Sequence, residues 1–253
     1  VAPTGELDPG NLWRYETSKK IKQAVIKNLH PDVVHITSLF EGYFDNAVTT
    51  TAISDCPIVS VSLYDLIPFL NPNKYFHSSP NYEAYYLKKI QDLKKADILL
   101  AISESSRKES LTGLGENCPS ILNISAAIDS KFKQITLDPA SEDRVRNKFN
   151  LSRSIVLYSG GFDERKNLPL LIKAYSKLPL ELRATHQLAF VGKTPKGIVT
   201  LLESCALSAG LSTDELIFTD YVTDAELISL YNICKLFVFP SWHEGFGLPA
   251  LEA

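Results

Sequence analysis

Leu236-Phe-Val-Phe-Pro-Ser-Trp-His-Glu244-Gly-Phe-Gly-Leu-Pro-Ala-Leu-Glu252 is the stretch on which the reading of this chain turns. An apolar run opens into a glycine-rich turn, and a proline then stands where a helix would begin. Strand, Gly-rich turn and helix in that order present backbone N–H groups to an anion at the edge of a parallel α/β sheet. Two carboxylates flank the turn, Glu244 in the loop and Glu252 in the helix that follows. The first can reach the reacting end of a ligand, and the second can grip hydroxyls on its other side. A phosphate cradle with acids on both sides indicates a nucleotide-sugar site.

Upstream of this stretch the hydrophobic period switches repeatedly between strand and helix. Strands are expected at Ser154–Ser159, Gln187–Val191, Glu215–Thr219 and Leu236–Phe239, with helices at Leu168–Leu178, Lys196–Ala209 and Asp224–Ile233. An earlier series has strands at Asp32–Thr37, Pro57–Leu63 and Ala96–Ile102, with helices at Thr17–Leu29 and Tyr82–Lys95. Such alternation implies right-handed βαβ units and doubly wound parallel sheets. The pattern breaks after Ser120–Ser125, and residues 129–150 are polar, with a capped helix expected near Ser141. The expected organisation is therefore a Rossmann-like domain over 1–135, a linker over 136–153 and a second Rossmann-like domain over 154–253.

Ligands of open α/β sheets bind beyond the carboxyl ends of the strands. After the first strand of the second series comes Ser159-Gly160-Gly161-Phe162-Asp163-Glu164-Arg165-Lys166-Asn167. Gly160 and Gly161 permit a tight turn and close backbone approach. Arg165 and Lys166 place two cations at the mouth of the sheet, where a diphosphate could be neutralised. Read singly, an Arg-Lys pair is usually a solvated loop, and two glutamates eight apart are usually exposed helix charges. Two phosphate-type loops in register on one sheet edge outweigh those readings.

Bulk properties narrow the class further. The 253 residues allow one large domain or two ordinary ones, and a formal net charge of −3 gives no electrostatic case for nucleic acid. Cys56, Cys118, Cys205 and Cys234 form no C-x-x-C pair, so buried free thiols in a reducing cytoplasm are expected rather than zinc or disulfides. No apolar run is long enough to span a bilayer, a finding compatible with peripheral membrane contact. The chain lacks Met, opens at Val1 and stops at Ala253, so a piece of a longer protein, incomplete at both ends, is expected.

The second series resembles the donor-binding half of family-four retaining glycosyltransferases of the two-Rossmann GT-B type (group 1 glycosyl transferases). The resemblance is carried by Gly160-Gly161 through Arg165-Lys166-Asn167, Leu188–Gly192, Phe218–Leu227, Leu230-Tyr231 and Phe237–Glu252. It implies that Arg165 and Lys166 hold the donor's diphosphate, and that backbone amides near Phe246, Gly247 and Leu248 cap its phosphates and sugar hydroxyls. Glu244 would face the transferred sugar and Glu252 the ribose hydroxyls, while Gly192, Tyr221 and Val222 line the nucleoside pocket. Asp220 stands where the family often has Gly.

The first series resembles the acceptor half more loosely. Ser62-Leu-Tyr64-Asp65-Leu-Ile-Pro68 matches a segment that commonly reads His-Asp-x-x-Pro, with Tyr64 in the His position. Asp65 is read either as a sugar contact or as a cap on the turn before Pro68. Glu41 is an acceptor-side candidate by topology, and Ser103 reads as a helix cap. Tyr82, Tyr85 and Tyr86 fall on a helix and read as packing.

The implied activity is retaining transfer of a hexose from a nucleotide diphosphate sugar, such as GDP-mannose or a UDP-sugar, to a glycan or lipid-linked acceptor. The implied setting is bacterial surface-polysaccharide or lipopolysaccharide synthesis, in the cytoplasm or at the inner membrane face. Neither cofactor nor metal is expected, since the cations supply the countercharge and no Asp-x-Asp motif occurs. Two other readings share the scaffold: a nucleotide-sugar epimerase or hydrolase, and a non-catalytic nucleotide-sugar-binding subunit.

Overall fold

A computed structural model describes residues 9–53 and 58–253. The chain forms two compact units, 1–126 and 127–253. In the first, α1 (Leu12–Leu29) leads to β1 (Val33–Ile36), and β2 (Ile58–Leu63) is followed by short helices α2 (Ile67–Leu70) and α3 (Pro72–Tyr75). Helix α4 (Pro80–Leu93), β3 (Ile98–Ala101), α5 (Glu104–Leu114) and β4 (Ser120–Asn123) complete it. Its sheet is parallel throughout, in the order β1-β2-β3-β4. The three strands expected in this unit are present, and β1 and β3 are one or two residues shorter at each end, where ladder bonds run out.

Ser103 caps α5 as expected, its side chain accepting a hydrogen bond from the Ser106 N–H. The α4 tyrosines pack rather than present a sugar platform. Tyr85 and Tyr86 are buried among Phe40, Tyr43, Phe76 and Tyr82, with ring centroids 4.6–6.3 Å apart. Aromatic pairs at such spacings add to the burial of the rings themselves.

The second unit contains α6 (Pro139–Lys148), β5 (Ser154–Ser159), α7 (Leu168–Tyr175), α8 (Leu180–Thr185), β6 (His186–Val191), α9 (Lys196–Ser208), β7 (Leu216–Phe218), α10 (Asp224–Ile233), β8 (Leu236–Phe237) and α11 (Leu248–Glu252). Its sheet, also parallel, runs β7-β6-β5-β8. Alternation along β5 feeds two cores, as a sheet covered on both faces requires. Val156 and Tyr158 pack with Leu168, Ile172, Phe190 and Leu202, whereas Ile155 and Leu157 pack with Phe149, Leu151, Leu230 and Tyr231.

Three expectations are corrected here. The stretch 136–153 is no linker: Asp138 caps α6, and Val145, Phe149 and Leu151 join the core beneath β5. The division of the chain lies at 126/127, ahead of the polar stretch. The polar residues misled because α6 shows only one narrow apolar stripe to the sheet. Finally, Cys118, Cys205 and Cys234 are free but only half-buried, and Cys56 lies outside the described residues.

Among the described residues no helix is long and apolar enough to cross a membrane. One ion pair in the second unit is nearly closed to water. Arg183 in α8 donates from Nε and Nη2 to the two oxygens of Glu215, each at 2.8 Å, and the Ser212 N–H and hydroxyl donate to the same carboxylate at 2.9 Å. Hydrogen bonds from Arg183, opposed by burial and reinforced by Ser212, pull the Glu215 carboxyl down from 4.5 to about 2.

Two measurements check this packing. Leu157→Ala empties a fully buried position and should lower stability by about 2–5 kcal/mol in urea unfolding of the second unit. Because the folded Glu215 has the lower pKa, its contribution is complete above about 4.5 and fades as pH falls toward about 2. Glu215→Gln should therefore lower stability at neutral pH and flatten the loss between those two values, read from acid titrations followed by circular dichroism.

Candidate functional site

The site is assembled where the loops after β5 and β8 meet. Adjacent pairing of these strands, Val156 with Leu236 and Leu157 with Phe237, brings the two loops out at the same sheet edge. In the first loop Gly160 adopts φ 141°, and an added Cβ would come within 3.1 Å of the Tyr158 hydroxyl, which donates to the Gly161 carbonyl. A single 3-10 turn, Glu164–Lys166, follows. Asp163 caps it, accepting from the Arg165 N–H at 3.2 Å, and Asn167 (φ 57°) turns the chain into α7.

The second loop is laced to the first. Asn167 Nδ2 donates to the Pro240 carbonyl at 3.3 Å, the Trp242 N–H donates to the Arg165 carbonyl at 3.2 Å, and Arg165 Nη1 donates to the His243 carbonyl at 2.9 Å. At the centre is Glu244. Its Oε2 accepts from Arg165 Nη1 at 2.7 Å and its Oε1 from Lys166 Nζ at 2.5 Å. Lys166 is only 8% exposed, and its ammonium also lies 5.8 Å from the centre of the Phe239 ring.

Burial on its own would raise the Glu244 carboxyl, but hydrogen bonding and charge from Lys166, with charge from Arg165, outweigh it and hold the group below its ordinary value. The nearby Ser241 hydroxyl adds to that lowering, although its oxygen is buried without a partner in hydrogen-bond geometry. Chemically, the cluster is two fixed cations and one fixed anion at the mouth of the sheet. It can neutralise an incoming polyanion while keeping a carboxylate ionised beside it.

Gly247 (φ 97°) begins α11, with Leu248 and Pro249 as its first residues and Phe246 just ahead of it. An added Cβ at Gly247 would lie 3.2 Å from the Phe239 ring. Gly192 (φ 125°) follows β6 and bridges to Asp220 after β7. Asp220 itself sits at φ 57°, which explains on backbone grounds why Gly suits that position, and Asp is one of the few residues that tolerates it. Tyr221 is 71% exposed, while Val222 is partly buried and packs against the core beneath β5.

Glu252 stands apart from the Glu244 cluster. It accepts from the Tyr231 hydroxyl at 3.1 Å and lines a cavity of about 350 Å³ with Phe132, Lys133, Ile228, Tyr231 and Asn232. None of Gly160, Gly161, Gly192, Tyr221 or Val222 lines that cavity. In the first unit, Asp65 accepts from the Ile67 N–H at 3.0 Å, so it caps the turn before Pro68. Tyr64 is exposed, and Glu41 is exposed and accepts from the Ser38 hydroxyl at 2.8 Å. Sequence reasoning passed over Asp163 and Asn167 as site components. Their signal is positional, since the two flank the turn that carries Arg165.

Two parallel-sheet units of this kind have the architecture of GT-B glycosyltransferases. Anabaena Alr3699/HepE, solved with UDP and glucose, covers 91% of this chain with a TM-score of 0.68 at 18% identity, the match taking in 58% of that chain. WaaG, a glycosyltransferase involved in lipopolysaccharide biosynthesis, covers 95% with a TM-score of 0.64, again at 18% identity, over 61% of its own chain. Residues 140–253 match the family described as glycosyl transferases group 1. The whole chain is 38% identical over 255 residues to the serotype-specific mannosyltransferase WbdA of Escherichia coli, spanning 31% of that protein's length. O-antigen chain mannosyltransferase B of Escherichia coli is 32% identical over 164 residues, 64% of this chain and 42% of that protein.

Gly247→Ala should test how tightly the β8 loop is constrained. Forcing a Cβ into the left-handed region beside Phe239 is expected to cost about 1–3 kcal/mol, read as a lowered melting temperature. Gly197→Ala, within α9 and with nothing near its added Cβ, should leave the melting temperature unchanged or raise it.

Proposed function

We propose that this chain carries the catalytic portion of a retaining mannosyltransferase that draws on a nucleotide diphosphate sugar, with GDP-mannose the first donor to test. The observation that carries the reading is the convergence of Arg165 and Lys166 on Glu244 at one sheet edge. The names of the relatives in Escherichia coli support mannose as the transferred sugar and O-antigen synthesis as the setting. The acceptor is then a growing glycan or lipid-linked saccharide, met at a membrane surface from the cytoplasmic side.

In this mechanism the sugar–phosphate bond breaks first, and negative charge grows on the departing diphosphate while the sugar becomes oxocarbenium-like. Arg165 and Lys166 would exchange part of their pairing with Glu244 for the phosphate oxygens, assisted by backbone amides near Phe246, Gly247 and Leu248. Such preorganised charges are typically worth a few kcal/mol of barrier. The acceptor hydroxyl attacks from the face the diphosphate leaves, passes its proton to the diphosphate, and configuration is retained. Glu244, kept ionised, orients the sugar and offsets its positive charge without becoming a covalent nucleophile.

The nucleoside would lie over Gly192 and Tyr221, with Glu252 on the ribose hydroxyls. Tyr64, Asp65 and Glu41 are the candidates of the first unit for sugar or acceptor contact. Countercharge from the two cations makes a metal or other cofactor unnecessary in this scheme.

Arg165→Ala and Lys166→Ala should each lower kcat/KM for mannosyl transfer by about 100-fold or more and weaken donor binding. The check is transfer from a panel of GDP-, UDP- and ADP-sugars together with their thermal-shift profiles. Unchanged donor affinity and turnover in both variants would place the diphosphate elsewhere.

A further inference from the structure

The proposed mechanism leaves unused a buried chain of polar atoms that ends on Glu252. Ser159, the last residue of β5, lies 2.6 Å through Oγ from the Tyr231 hydroxyl, and that hydroxyl donates to Glu252 Oε2 at 3.1 Å. Ser159 and Tyr231 are 5% and 6% exposed. A phenol carries one proton. If Tyr231 gives it to the carboxylate, Ser159 must donate to the phenol oxygen, so the chain has one direction, from Ser159 through Tyr231 to Glu252.

Several features hold the relay in place. The Tyr231 ring meets Phe237 and Phe132 edge-on at 5.6 and 6.2 Å, so it cannot swing without disturbing two other rings. Burial above all, countered by the Ser159 hydrogen bond and aided by the nearby Glu252 charge, pushes the phenol's pKa upward, which keeps it a proton donor. Among the described residues Glu252 Oε1 accepts no hydrogen bond, so one oxygen is anchored and one is left for another donor.

We infer that Tyr231, itself set by Ser159, is a positioning residue that aims the Glu252 carboxylate at the ribose hydroxyls of the donor nucleotide. This rests on the reading of Glu252 as the ribose contact proposed above. A rigid acceptor matters because a carboxylate already held in place binds two vicinal hydroxyls more tightly, whereas an unanchored glutamate gives up part of that affinity to side-chain entropy.

The test is calorimetric titration of the chain with GDP and with its 2′,3′-dideoxy counterpart. The parent should prefer GDP by about tenfold or more, as expected for hydrogen bonds to a charged group. Tyr231→Phe, which removes a single oxygen, should erase most of that preference with little change in melting temperature. Ser159→Ala should move it in the same direction by less. Glu252→Gln should abolish it, and adding Tyr231→Phe to Glu252→Gln should cost nothing further, because both act through one carboxylate.

A full ribose preference retained in Tyr231→Phe, or effects of the two substitutions that simply add, would overturn the positioning role. So would a parent that binds GDP and its dideoxy form equally, and that result leaves the diphosphate site standing. A parent that binds neither GDP nor UDP would instead overturn the donor reading, and this inference with it.

Discussion

The carboxylate of Glu244, held between the guanidinium of Arg165 and the ammonium of Lys166, is the interaction on which the arrangement of this domain edge depends. Lys166 is buried and Arg165 and Glu244 are largely so. Isolated charges at such depth are strongly disfavoured, and two cations side by side even more so. One anion between them offsets part of both costs and ties a loop from β5 to a loop from β8. The same geometry makes the cluster responsive, since a diphosphate can offer the cations what Glu244 offers them now. On the proposed reading, stability without a donor and affinity for one would draw on the same charges.

The order β7-β6-β5-β8 is what allows this. With β5 central, the loops after β8 and β6 emerge on either side of the Gly160–Lys166 turn, and the bridge from Gly192 to Asp220 ties in the loop after β7. Parallel strands deliver every one of these turns to a single edge, because each crossover helix returns the chain to the opposite end. Left-handed backbone at Gly160, Gly192 and Gly247 lets the turns stay short. Short turns leave little freedom for the charged side chains they carry.

Two glutamates eight positions apart end up in unlike surroundings. Glu244 is locked by cations and lies at the loop mouth, whereas Glu252 is held by a neutral phenol beside a cavity. Their environments differ in kind: the first carboxylate is paired with two cations, the second accepts a hydrogen bond from a phenol. That division has parallels in other sites where paired acids are set apart by their neighbours.

Much of this was legible in the residues. The bounds of β5 and α10 follow directly from apolar runs bordered by clear signals, Gly160-Gly161 after one and Thr223-Asp224 before the other. The Gly-rich turns, the Arg-Lys pair, the Ser103 cap and the turn-closing Asp65 are local chemistry, written within a few residues of where they act. Other features depend on residues far apart in sequence. Helix α6 joins the second core through an apolar stripe too narrow to stand out from its charges, and Val222 turns inward because a core is there to receive it. Tyr231 finds Ser159 across 72 positions and Glu252 across 21, and no spacing rule announces either contact. The sequence by itself determined the alternation of strand and helix and the kinds of group at each loop, since those depend on neighbours along the chain. Tertiary structure alone decided which charges meet and which carboxylate is anchored, because hydrogen bonds act over about 3 Å and only the folded sheet brings such distant residues that close.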